Sequence, residues 1–124
     1  METSAIEIFY AVAHRLIETE QFCDAAIVLR AMIVAAPADP RGWLALSHCH
    51  EKIDQLTVAK ELLAAGRVVA ADNSQLTLAL ARSMRLVGEV GTTRDQLLDE
   101  VEDALASSPD EALLRHLEIE RCAA

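Results

Sequence analysis

Phe9 and Trp43 stand 34 residues apart, as do Val12 and Leu46, Phe22 and Leu56, Ala25 and Ala59, and Leu29 and Leu63. A recurrence at that period marks an array of helical hairpins, whose units bury their apolar faces only by stacking on one another. Composition points the same way. Of 124 residues, 52% are hydrophobic but only 3% aromatic, so the interior must be filled by Ala, Leu, Val and Ile, the material of close helix-on-helix packing. At this length folding withdraws about two thirds of the unfolded surface from water, enough for one domain without staples.

The first helix is expected to start at Ser4-Ala5-Ile6-Glu7, which reads as a capping box. Ile8, Phe9, Val12, Ala13, Leu16 and Ile17 then recur at three- and four-residue steps until the polar stretch Glu18 to Gln21 turns the chain. A second helix runs from Phe22 towards Pro37, which cannot supply the next amide. Asp39 as N-cap and Pro40 in the first turn open a second unit that extends to about Asn73, with Ala71 standing where Pro37 stood.

A third unit begins near Ser74. Gly88-Glu89-Val90-Gly91 lengthens its internal turn before a further capping box at Thr93-Arg94-Asp95-Gln96. Pro37 and Pro109 are 72 residues apart, four more than two periods, so the repeat is expected to break in this region. Added loop residues cost little. Ser108 as N-cap and Pro109 at the first position open a last helix that should cover the end of the array with a polar face. The expectation is an all-α single domain over residues 1–124, a solenoid of three hairpins (about 6–39, 40–73 and 74–109) with a capping helix over 110–122.

The formal charge is −9, and from Arg94 onward nine acidic residues face three arginines. Such a chain repels phosphate, which argues against nucleic acid and anionic membrane as partners. A solvated helix face is the plainer reading of the acidic quarter, a basic partner the sharper one. Cys23, Cys49 and Cys122 form an odd set without paired spacing, so neither a disulfide framework nor a zinc site is expected, and a cytoplasmic setting fits. The N-terminal residues carry no basic region, and no apolar run approaches the ~20 residues a bilayer requires.

His48-Cys49-His50 suggests a metal, but residues two apart on a helix point about 200° from each other and cannot chelate one ion. Cys49 reads better as a small buried hydrophobe. Gly88-Glu89-Val90-Gly91 lacks the Lys-Ser/Thr of a phosphate loop, and no nucleophile has a recognisable setting. No metal, cofactor or catalysis is expected.

The residues at these places resemble the tetratricopeptide repeat. The first unit offers Phe9, Val12, Ala13, Leu16, Ala25, Leu29 and Pro37, and the second offers Trp43, Leu46, Ser47, His50, Ala59, Leu63 and Ala71. His50 and Ala71 depart from the pattern, and the third unit keeps Leu80, Ala81 and Met84 before drifting. The small, acidic, Ala- and Leu-rich chain and its string Gly42-Trp43-Leu44-Ala45-Leu46 also look like the small chaperones of bacterial type III secretion. Two branches compete, one holding needle subunits and one holding translocators. The short length favours the needle branch.

In this repeat the first helix of each hairpin lines the concave surface. The resemblance places Glu7, Tyr10, His14 and Ile17, then Arg41, Leu44, His48 and Glu51, then Gln75, Leu78, Arg82 and Arg85 on that surface. Tyr10, Leu44 and Leu78 would form an apolar stripe, with His14, His48 and Arg82 beside it as a column able to carry positive charge. Such a groove suits a helical protein or peptide partner. The implied function is a cytoplasmic chaperone holding a helical segment of a secretion subunit, with a small co-chaperone or self-association when alone. The alternatives are a protein-interaction adaptor unrelated to secretion and, for the apolar stripe, simple packing within the chain or against a dimer mate.

Overall fold

A computed structural model describes residues 3–70 and 73–123. The elements are α1 (Thr3–Glu18), α2 (Phe22–Ala35), α3 (Pro40–Lys52), α4 (Leu56–Val69), α5 (Ser74–Leu86), α6 (Thr92–Ser107) and α7 (Glu111–Cys122). Among the described residues there is no strand, and no helix is long and apolar enough to cross a membrane. Short loops fold each helix back on its predecessor. The odd-numbered helices also touch in series, α1 on α3, α3 on α5 and α5 on α7, whereas α2, α4 and α6 meet only their sequence neighbours. The array is therefore crowded along its odd helices and splayed along its even ones, as in a curved solenoid with α1, α3, α5 and α7 on the inside.

The three intra-hairpin turns share one device at the 34-residue period. Glu20, Asp54 and Gly88 adopt φ of 59°, 62° and 84°. The amide that follows each of them reaches back to the helix it has just left: Gln21 N to Leu16 O, Gln55 N to His50 O and Glu89 N to Met84 O, all at 2.8 Å. This is the closure of a helix by a left-handed residue, which glycine adopts without the Cβ penalty that Glu20 and Asp54 bear.

Helix starts follow the sequence reading only in part. Asp39 caps α3 as expected, its Oδ1 accepting the Arg41 amide at 3.0 Å with Pro40 in the first turn. The other three expectations are corrected. Ser4 is not the cap of α1, which is already helical at Thr3, and the carboxylate of Glu7 is instead taken up by Arg41. Thr93 is not the cap of α6: Gly91, at φ 146°, admits the helix two residues earlier and Arg94 turns into the interior. Ser108 ends α6, and the cap of α7 is Asp110, extended at φ −144° and ψ 110°, whose Oδ1 accepts the Leu113 amide at 3.1 Å. Pro109 precedes that cap because its fixed φ suits the turn between the two helices. Ala71 lies outside the described residues.

Two apolar clusters make the core. Ala13, Ala25, Leu29, Met32 and Leu46 belong to the first, between α1, α2 and α3, and Phe9, Tyr10 and Ile17 pack against it. Leu63, Leu76, Leu80, Leu98, Val101 and Leu117 belong to the second, which joins α4 to α7. Cys49 is fully buried, as a small hydrophobe should be, and burial pushes its thiol above the ordinary range. His50 fills the place where the repeat usually carries an aromatic ring. It is buried, with Arg30 Nη2 at 2.9 Å from Nε2 and Gln55 Oε1 at 2.6 Å from Nδ1. A guanidinium only donates, so Nε2 accepts and Nδ1–H donates to Gln55.

Trp43 is pinned by its Nε1–H, which donates to the Pro37 carbonyl at 2.8 Å, and its ring lies against Gly66. A Cβ on Gly66 would stand 2.6 Å from Trp43 Cγ and 2.8 Å from its Cβ. Gly66→Ala is therefore expected to destabilise the chain by about 1–3 kcal/mol through overpacking, although helix propensity alone would favour Ala by about 1 kcal/mol. Urea denaturation midpoints check the sign.

Candidate functional site: the inner surface

The inner helices carry a ladder of ion pairs, each joining one helix to the next. Arg41 on α3 forks onto Glu7 of α1 at 2.8 and 3.0 Å and also binds Asp39 at 2.7 Å. Arg82 on α5 reaches Glu51 of α3 at 2.8 Å. Arg85 on α5 grips Glu120 of α7 with bonds of 3.0 and 2.9 Å. The hydrogen bonds it donates to Asp39 and Glu7 hold Arg41 well above its ordinary value, and Arg41 in turn holds both carboxyls below theirs.

This ladder alters the expected groove. Arg41 spreads its guanidinium over the Tyr10 ring, 4.8 Å from the centroid, so Tyr10 is half-buried beneath a cation rather than open along an apolar stripe. His14 is exposed, its Nδ1 2.7 Å from Glu18. His48 meets the edge of Phe22, ring centroids 6.4 Å apart, and is held below its ordinary value chiefly by partial burial and then by Lys52. The residues expected to form a column beside the stripe thus have separate neighbours: partial burial lowers His48, and His14 and Arg82 each face a carboxylate. Ile17 packs against the first core cluster.

Leu44 and Leu78 have a different setting. They border a cavity of about 480 Å³ between α3, α5 and α7, whose floor continues through Ala79, Leu113 and Ile119. Gln75, Arg82, Arg85, Asp110, Ala112, His116 and Glu120 complete the lining. Leu78 is only 5% exposed and belongs to the second core cluster, against which the half-buried Leu44 also packs from the cavity side. Tyr10, His14, Ile17 and His48 are not among the residues that line it. An apolar floor of this size with a few polar groups at its rim is what an apolar side chain of a partner needs.

Half of this wall comes from α7, which the sequence reading treated as a lid. The missed signal is the period itself. Leu44, Leu78 and Ala112 stand at 34-residue steps, as do His48, Arg82 and His116, and Glu51, Arg85 and Ile119. The expected break is therefore corrected: the longer turn at Gly88 to Gly91 leaves α5 and α7 in register, and Pro109 is not the counterpart of Pro37. It was hidden because α7 departs from the burial pattern of the other inner helices. At the places where Leu46 and Ser47 are buried, α7 carries exposed Leu114 and Arg115.

The polar interior of this end is unusual. Arg94 and Glu120 are 3% and 4% exposed. Arg94 Nη2 donates to Glu120 Oε2 at 2.8 Å and to its carbonyl at 2.9 Å, while Nε donates to the Ala81 carbonyl at 3.1 Å. Burial pulls the Glu120 carboxyl up, but the bonds from Arg85 and Arg94 outweigh it and hold the group below the usual carboxylate range. Part of the acidic quarter is thus consumed internally: Asp99 and Glu102 share Arg121, and Glu100 pairs with Arg67. Among the described residues no cluster of three His, Cys, Asp or Glu is placed to hold a metal ion.

No protein-family model matches the sequence, and no protein of curated function matches it. Solved structures do match in fold. The chaperone PcrH from Pseudomonas aeruginosa superposes with a TM-score of 0.82 at 16% identity, over 97% of this chain and 91% of that one. PcrH in complex with the chaperone binding region of PopB gives 0.81 at 14% identity, over 100% and 98%. The Yersinia enterocolitica type III secretion chaperone SycD, in complex with a peptide of the translocator YopD, gives 0.76 at 20% identity, over 98% and 95%. Two of these structures hold a bound segment, the chaperone binding region of PopB and a peptide of the translocator YopD, and the length argument for the needle branch finds no support in them. In fold, this chain resembles the translocator chaperones of type III secretion.

Proposed function

We propose that the chain is a non-catalytic binding chaperone that holds an apolar segment of a type III secretion translocator along its inner surface. The observation that carries this reading is the apolar cavity between α3, α5 and α7, set in a fold that closely follows two chaperones crystallised with translocator segments. The mechanism is mass action and occlusion: a segment buried in the groove is withheld from assembly, in proportion to free chaperone over Kd. A cytoplasmic setting suits that task. The outer edge of α1, where Ile8 and Val12 remain 63% and 45% exposed, supports self-association or a co-chaperone contact while the chain is alone.

The test is affinity capture of the full chain from its native host, with the co-purifying protein identified by mass. A secreted translocator-type subunit is the expected result. Capture of a cellular protein with no secretion role would favour the adaptor reading.

A further inference from the structure

We infer that Glu120 is a latch: clamped between Arg85 and Arg94, it fixes α7 as the fourth inner helix and so builds the wall against which a bound translocator segment seats an apolar side chain. This rests on the chaperone reading above and assigns a positioning role within it.

Packing alone holds α7 lightly. Its buried apolar side chains are Leu113 and Leu117, while Leu114, Arg115 and Glu118 on its far side are exposed. The third buried side chain is Glu120, and Arg94 ties it at once to the Ala81 carbonyl of α5 and to the body of α6. Three helices are thereby fixed at one carboxylate. Leu113, His116 and Ile119 of α7, which border the cavity, lie within two turns of that clamp. With the clamp open, α7 hangs on the short link after Ser108, and Leu44 and Leu78 are left on a flat surface. The occupant is an apolar side chain because the cavity floor is formed by Leu, Ala and Ile alone.

The experiment uses the full chain with labelled Leu and Ile methyl groups and the probe 8-anilinonaphthalene-1-sulfonate, an apolar ring whose sulfonate suits Arg82 and Arg85. In the native chain the methyls of Leu44, Leu78 and Leu113 are expected to shift together on titration. In Glu120→Gln, amide exchange over 113–122 should speed up at least about tenfold with α1 to α4 unchanged, and probe affinity at these methyls should fall about tenfold. Ala79→Trp, which fills the cavity from α5, should block the probe while α7 stays protected. Should Glu120→Gln fail to fold, Arg94→Lys gives the same two readouts, because an ammonium cannot span both the Ala81 carbonyl and the Glu120 carboxylate. Unchanged protection of α7 overturns the latch. So does release of α7 with the probe still bound at Leu44 and Leu78. A latch that behaves as expected in a chain that captures no translocator would instead refute the chaperone reading alone.

Discussion

Glu120→Ala is expected to cost about 3–5 kcal/mol, a large share of the stability of a chain this size, because it leaves a buried guanidinium without its carboxylate. Arg94 would keep its bond to the Ala81 carbonyl but lose the charge that justified its burial. Arg85 would lose both of its bonds to α7. In an array whose units couple to their neighbours, the loss should fall first on α7 and the end of α6, so urea transitions followed at that end should precede those of α1 to α4. Surface pairs give a contrast: removing Glu89, which meets Lys60 from an exposed position, should change stability by less than about 1 kcal/mol.

The same group sets a pH dependence. The folded chain holds the Glu120 carboxyl below its ordinary value of 4.5, so the folded state binds this proton less readily than the unfolded state. Its contribution is therefore complete above that value and is lost as the pH falls through the lower, folded one. Acid denaturation of the native chain should show this loss, and Glu120→Gln should flatten it.

Leu44→Asp is expected to weaken capture of the translocator segment by about a hundredfold or more, since a buried-face leucine at a cavity mouth is replaced by a charge that must be desolvated on binding. Helical content should be retained, because Leu44 is half-buried and the α3 core side chains Leu46 and Cys49 face the other way. Tyr10→Ala should act differently. Tyr10 packs on the first core cluster beneath Arg41, so its removal should lower stability more than affinity. Fluorescence anisotropy with the captured segment, alongside circular dichroism, separates the two effects.

The hairpin architecture was legible because a 34-residue period in apolar residues has few other physical solutions. Phe9 and Trp43, or Ala25 and Ala59, occupy equivalent places because each must fit the next unit. Helix caps were legible only where side chain and backbone agreed, as at Asp39. At Thr93 the local pattern was real but lost to Gly91, whose left-handed φ let the helix start early and freed Arg94 for the interior. The register of the inner-surface residues could be read, yet their partners could not, because pairing across helices depends on three-dimensional reach: Arg41 with Glu7, Arg82 with Glu51. The wall supplied by α7 was missed for a related reason. Its inward register continues the period, but Leu114 and Arg115 stand exposed where α3 and α5 bury their side chains, and the apolar pattern that signals a repeat fades there.

Placing a photoreactive amino acid on the two surfaces in turn, and asking where the translocator segment crosslinks, tests the account most directly. Substitution at His48 or His116, on the inner surface, should give the covalent adduct. Substitution at Val34 on α2 or Val68 on α4, which are 84% and 80% exposed on the outer helices, should give none. Adducts at Val34 and Val68 with none at the two histidines would contradict it.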